Sequence, residues 1–141
     1  MEKKMKRPSG ASLLEFALVL PILMLLIVGI IDLSLLLYDK AIITNASREG
    51  ARYGVVVRQP TYASTSAVIS YTQTYCTNHL VSFSKTPATA TVTATPSTTP
   101  PVSKATLTVT VNYTYTDLVL HYFINHLPTY NLSATTVMSY E

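Results

Sequence analysis

The chain has 141 residues, room for one small domain beside a single membrane segment. Charged residues make up 12% of it, about half the usual share, and the mean hydropathy of +0.30 is high for a water-soluble protein. The net charge of +3 lies in the first ten residues, where Lys3, Lys4, Lys6 and Arg7 oppose Glu2; the remainder carries six basic and six acidic side chains. A pI near 9.0 therefore reports a short basic tail and not a nucleic-acid surface. The lone Cys76 excludes an intramolecular disulfide and reads first as a small buried apolar residue, with a reactive thiol or an intermolecular bridge as the alternatives.

Behind the basic tail, Leu13 to Leu37 is apolar except for Glu15, Pro21, Asp32 and Ser34. As a helix this stretch reaches ~37 Å, enough to cross a hydrocarbon core of about 30 Å. The tail lies where the positive-inside rule expects cytoplasmic charge before a first span. A cleaved secretory signal fits poorly, because the run is too long, contains a carboxylate and lacks an A-x-A site behind it. Glu15 is the anomaly. A charge at bilayer depth costs about 2.5–3.5 kcal/mol on insertion scales, so an acid there asks for a partner, most economically a positive charge on another subunit. Pro21 is expected to loosen or kink the helix one turn further on. Asp32, ~24 Å beyond Phe16, is expected at the interface with headgroups or water.

Nothing stops the helix at Tyr38, and Gln59-Pro60 supplies the first break. Ile42, Ala46, Tyr53 and Val57 recur at helical spacing, so one rod from about Ser12 to Arg58 is predicted, apolar all round below and amphipathic above. Ala46, Gly50 and Gly54 form a ridge without bulk. Glycine inside a helix costs roughly 1 kcal/mol, so this ridge predicts close packing, either on the chain's own outer domain or on a neighbouring subunit.

A second helix is expected from Ser64 or Thr65 to about Leu80, with Val68, Tyr71, Tyr75 and Leu80 as its loose stripe, alongside Ile69 and Cys76. Period-two patterns follow: Ala88–Thr95, Lys104–Thr116 and Tyr130–Tyr140 read as strands, the middle one most clearly. The Thr/Pro-rich 86–103 reads as a hairpin arm, and Asp117–Leu127 as a short helix or packed connection. The fold class is thus α+β, a long helix and a short one with about three antiparallel strands. The organisation expected is a leader over 1–10, a membrane helix over 11–38, its amphipathic continuation over 39–59, and an outer domain over 60–141.

No catalytic chemistry is expected. His79, His121 and His126 lack companions for a metal set, and no phosphate loop, nucleophile elbow or C-x-x-C occurs. No cofactor is implied. Asn45, Asn112 and Asn131 head glycosylation sequons, a pattern common by chance.

Gly10 to Arg52 closely resembles the opening module of TadE-like pseudopilins from bacterial tight-adherence pilus systems. The resemblance is carried by Gly10, Glu15-Phe16-Ala17, Leu20-Pro21, Gly29 with Asp32, and Ala46 followed by Arg48-Glu49-Gly50-Ala51-Arg52. Leu132–Glu141 is similar to the final strand of such proteins. Leu35 departs from the pattern, since related sequences often carry a polar or basic residue there. The resemblance implies a pilin-like fold, no enzymatic activity, and cleavage by an inner-membrane prepilin peptidase between Gly10 and Ala11. It further implies a single span with the N-terminus cytoplasmic, and partners among other pilin subunits and the pilus assembly platform. Glu15 and Phe16 would serve recognition and assembly, with the Glu15 carboxylate meeting the new amine of an adjacent subunit. A permanently anchored envelope protein whose outer sheet binds a partner is the alternative expectation.

Overall fold

In a computed structural model the described residues are 9–56, 62–81, 89–96, 104–115 and 129–140. Two helices and three strands follow one another as α1 (Ser9–Val55), α2 (Thr65–His79), β1 (Thr91–Pro96), β2 (Thr106–Tyr115) and β3 (Tyr130–Ser139). The α+β class read from the sequence is the fold observed. The leader to Pro8, most of the 86–103 arm, Val57, Arg58, Asp117–Leu127, His121 and His126 lie outside the described residues.

Helix α1 runs 47 residues, ~70 Å, and continues through Pro21. Its hydroxyls are absorbed locally: Ser34 Oγ donates to the Ile30 carbonyl at 2.7 Å and Thr44 Oγ1 to that of Lys40 at 2.8 Å. Helix α2 begins where a cap permits, with Ser64 Oγ accepting from the Ala67 N–H at 3.3 Å. Its buried line is Val68, Thr72 and Cys76; of the stripe expected, Val68 and Leu80 are buried and Tyr75 is half-buried against the core, while Tyr71 is exposed. Thr72 tolerates full burial because its hydroxyl donates to the Val68 carbonyl at 2.7 Å.

The strands form one antiparallel sheet in the order β1-β2-β3. Pro96 sits at the end of edge strand β1, where a missing amide proton does least harm. Lys104, at φ 67°, starts a bulge in which its N–H binds the Tyr140 carbonyl while the Tyr140 N–H binds that of Ala105. Alternation sorts the two faces. Leu107, Val109, Val111, Tyr113 and Tyr115 point inward onto the helices, while the opposite face presents Thr93, Thr110 and Thr135 in one cross-strand row. The core joins the inner face to Ile42, Ile43, Ala46, Ala51 and Val55 of α1 and to Val68 and Cys76 of α2.

Strand β3 runs alongside α1. Lys40 Nζ donates to the Ser133 carbonyl, and Ser47 Oγ meets Thr136 Oγ1 at 2.8 Å. Seven residues of helix rise ~10.5 Å and three residues of strand ~10 Å, so the two advance together.

Candidate functional site

The cover on α1 begins abruptly. From Gly10 to Ile31 the side chains are exposed, save for the partly covered Val28 and Gly29; from Asp32 onward one side lies under the sheet. The bare rod is ~32 Å long, close to the thickness of a hydrocarbon core. By length and composition it is the one helix among the described residues able to cross a membrane.

Gly10, Ala11, Glu15 and Phe16 all lie on this bare rod. Ala11 and Glu15 are four residues apart, one turn or ~6 Å of rise, so they share a face. Glu15 stands among exposed Leu14, Phe16, Leu18 and Val19. Among the described residues no salt bridge reaches it; the pair that does form, Arg52 with Glu49 at 3.4 Å, is ~50 Å away along α1. The acid is thus displayed on an apolar surface that the chain itself leaves uncovered.

The ridge of Ala46, Gly50 and Gly54 is instead filled from within the chain. A Cβ on Gly50 would lie 2.1 Å from Thr72 Oγ1, and one on Gly54 2.3 Å from Leu107 Cδ2 and 2.9 Å from Val68 Cγ2. Here the small residues let α2 and the sheet approach α1. At Gly29, on the lower half, an added Cβ meets nothing within 4 Å.

The structure buries two acids on α1, Asp32 and Asp39, of which only Asp32 is singled out by the sequence. Asp32, expected at the interface, is buried under the sheet end, where Tyr115 Oη donates to its backbone carbonyl at 3.2 Å. Asp39, two turns on, is fully buried. Its Oδ1 accepts from the Val81 N–H at 3.1 Å, while Oδ2 has no hydrogen-bond partner among the described residues. Burial pushes its pKa above the ordinary 3.8, partly offset by the Val81 bond. Burial, and secondly the negative charge of Asp39, raises the Tyr113 phenol. The signal was the seven-residue spacing from Asp32, which puts both acids on the side of Ile42, Ile43 and Ala46.

Other groups offer little chemistry. Burial pushes the Cys76 thiol up to about 11, which makes it inert in the folded domain. His79 lies on the surface with Nδ1 2.8 Å from the Tyr75 carbonyl, its ring stacked on Tyr75. A cleft of about 310 Å³ at one end of the sheet is lined by Thr89, Thr91, Asn112, Thr114, Asn131 and Ser133, together with Tyr113 and Leu132. It presents hydroxyls and amides without an acid–base pair. Leu35, the departure noted above, is half-buried and packs against the core.

Residues 10–52 match the sequence model of the family described as TadE-like protein, the same span that carries the resemblance read from the sequence. No curated protein and no solved structure matches the chain.

Proposed function

We propose that this chain, TadE-like from Gly10 to Arg52, is a pseudopilin taking part in the biogenesis of tight-adherence pili. A prepilin peptidase cuts between Gly10 and Ala11 on the cytoplasmic side of the inner membrane, releasing the basic leader. The outer α+β domain stays on the far side, and the freed rod packs against other pilin subunits and the assembly platform. The supporting observation is Glu15, a single carboxylate exposed on an otherwise apolar rod of membrane length.

The physical logic is mutual neutralisation. Cleavage makes an α-amine at Ala11, and a carboxylate one turn away cannot be left bare in hydrocarbon without a cost of about 2.5–3.5 kcal/mol. When the amine of one subunit meets Glu15 of the next, each removes the other's burial cost, and a wrong register leaves both unpaired. Helix packing then drives assembly while the pair sets its register.

Two measurements test this reading. Intact-mass analysis of membrane-extracted protein, with and without the peptidase, is expected to show loss of residues 1–10. Glu15→Ala is expected to insert normally yet abolish piliation. Normal pili from that variant, or fibres built from chains that retain the leader, overturn the registry mechanism and favour a permanently anchored envelope protein.

A further inference from the structure

The sheet does not float free of the membrane segment: its lower end reaches back to the level where the bare rod stops. The Tyr115 bond to the Asp32 carbonyl fixes one strand end there. Tyr130 is paired with Tyr115 across the β2–β3 ladder. Counting down β3 from Ser133, which Lys40 holds, places Tyr130 ~10 Å lower, level with about Leu33 of α1. Two independent contacts thus put the same edge of the domain one or two residues above Ile31.

Among the described residues the chemistry of that edge is uniform. Thr114, Thr129, Tyr130 and Asn131 are exposed and uncharged, and Asp32 beneath them is buried. On the side of α1 that the sheet leaves open, Leu33, Leu37 and Tyr38 remain 58%, 59% and 47% exposed, which extends the apolar surface of the rod upward. Tyr130 itself is 45% exposed. Tyrosine with its ring low and its hydroxyl high is the residue type that settles at headgroup depth. The headgroup layer adds roughly 5–7 Å on each side of the hydrocarbon, and the Tyr130 level falls inside it if the rod from Gly10 to Ile31 fills the core.

We infer that the Tyr115–Tyr130 end of the sheet is a lipid-contacting rim, seated in the outer headgroup layer with Tyr38 on the opposite side of α1. The occupant is the membrane surface, because the rim is continuous with the apolar rod. The rim makes the outer domain a collar with a fixed depth, so α1 cannot slide inward past Asp32. Extraction of a subunit then requires lifting the rim off the lipid as well as withdrawing the rod. This inference rests on the membrane-span reading of α1 but not on cleavage or on Glu15.

The chain contains no tryptophan, so single tryptophans report position without background. Tyr130→Trp, Val137→Trp and Leu25→Trp are placed separately in the full chain and reconstituted in phosphatidylethanolamine–phosphatidylglycerol vesicles. Val137 is exposed on the same strand ~24 Å above Tyr130. Native protection of the Cys76 thiol confirms folding of each variant. The expected result is that Tyr130→Trp loses most of its emission to a headgroup-labelled nitroxide lipid and shifts blue, while Val137→Trp is untouched. Leu25→Trp is quenched by lipids brominated along the acyl chain. Equal, aqueous behaviour at positions 130 and 137 with Leu25→Trp still quenched overturns the rim and leaves the span standing. Failure at Leu25 overturns both. Shielding at position 130 that disappears on dilution with lipid assigns the rim to a second copy of the chain and also refutes lipid contact.

Discussion

The lower and upper halves of α1 are one continuous helix, yet they solve opposite packing problems. Below Asp32 the surface is large and apolar, with Leu, Ile, Val and Met side chains exposed all round. Above it, Ile42, Ile43 and Val55 enter the core of the domain beside a run of small buried residues, Ala46, Ser47, Gly50, Ala51 and Gly54. Bulk suits contact with lipid chains or with sister helices, where every side is apolar. Close approach of a sheet and a second helix demands removal of bulk along one line. The acids divide in the same way. Asp39 is covered by its own domain, whereas Glu15 is exposed on the bare rod.

The largest effect is expected where the upper half is made to resemble the lower. Gly54→Val places three carbons where a Cβ already meets Leu107 at 2.3 Å and Val68 at 2.9 Å. Overpacking of this kind costs about 3 kcal/mol. Cys76 supplies the readout, since a thiol that is buried and shifted up to about 11 reacts only when the domain opens. Its labelling in detergent is expected to accelerate about a hundredfold, by the rule of tenfold per 1.4 kcal/mol. Gly29→Ala, with nothing within 4 Å, is expected to leave the rate unchanged. Similar rates for both variants would mean that the two halves are not packed differently.

The acids give the next test. Burial raises the pKa of Asp39 above 3.8 in the folded state, so the folded domain holds its proton to higher pH than the unfolded chain does. Its stability contribution is full below about 3.8 and declines as pH rises through the raised value. Asp39→Asn, neutral throughout, is expected to lose that decline, so that urea titrations of wild type and variant diverge progressively above pH 4. Glu15→Gln, on the half without cover, is expected to leave the α+β domain's pH profile as it is. Parallel profiles for wild type and Asp39→Asn would show that the buried acid is already satisfied.

The architecture was legible because period two and period 3.6 alternate cleanly along the chain. The middle strand was expected over Lys104–Thr116 and runs from Thr106 to Tyr115; the second helix began at its serine cap as read. The contact line on α1 was less legible. A hydrophobic stripe through Ile42, Ala46 and Tyr53 overlooks Asp39, Ser47 and Ala51, which are buried beside it, whereas the close packing at Gly50 follows from the bulk-free ridge. Asp32 was expected at an interface because it lies ~24 Å of helix rise beyond Phe16. That depth agrees with the bare rod's length, but covering by the sheet depends on Tyr115, which is 83 residues away in the chain. Local periodicity carries no information at that range. The apolar surroundings of Glu15 follow directly from its near neighbours in the chain, Leu14, Phe16, Leu18 and Val19.

The smallest effect expected is at the boundary between the halves. Tyr115→Phe keeps the ring in the core and removes the hydroxyl that reaches the Asp32 carbonyl at 3.2 Å. That carbonyl remains an acceptor within α1, so no buried group is stranded, and the loss is about 1 kcal/mol. The bond lies at the end of the sheet, beyond Ile43, Leu107 and Val109 in the centre of the core, and its loss is expected to act locally. Amide exchange is expected to quicken at Tyr115 and neighbouring ladder residues while Cys76 labelling barely changes. Should Cys76 instead open as fast as in Gly54→Val, the sheet end is a cooperative part of the core, and the division of α1 at Asp32 is not a division in stability.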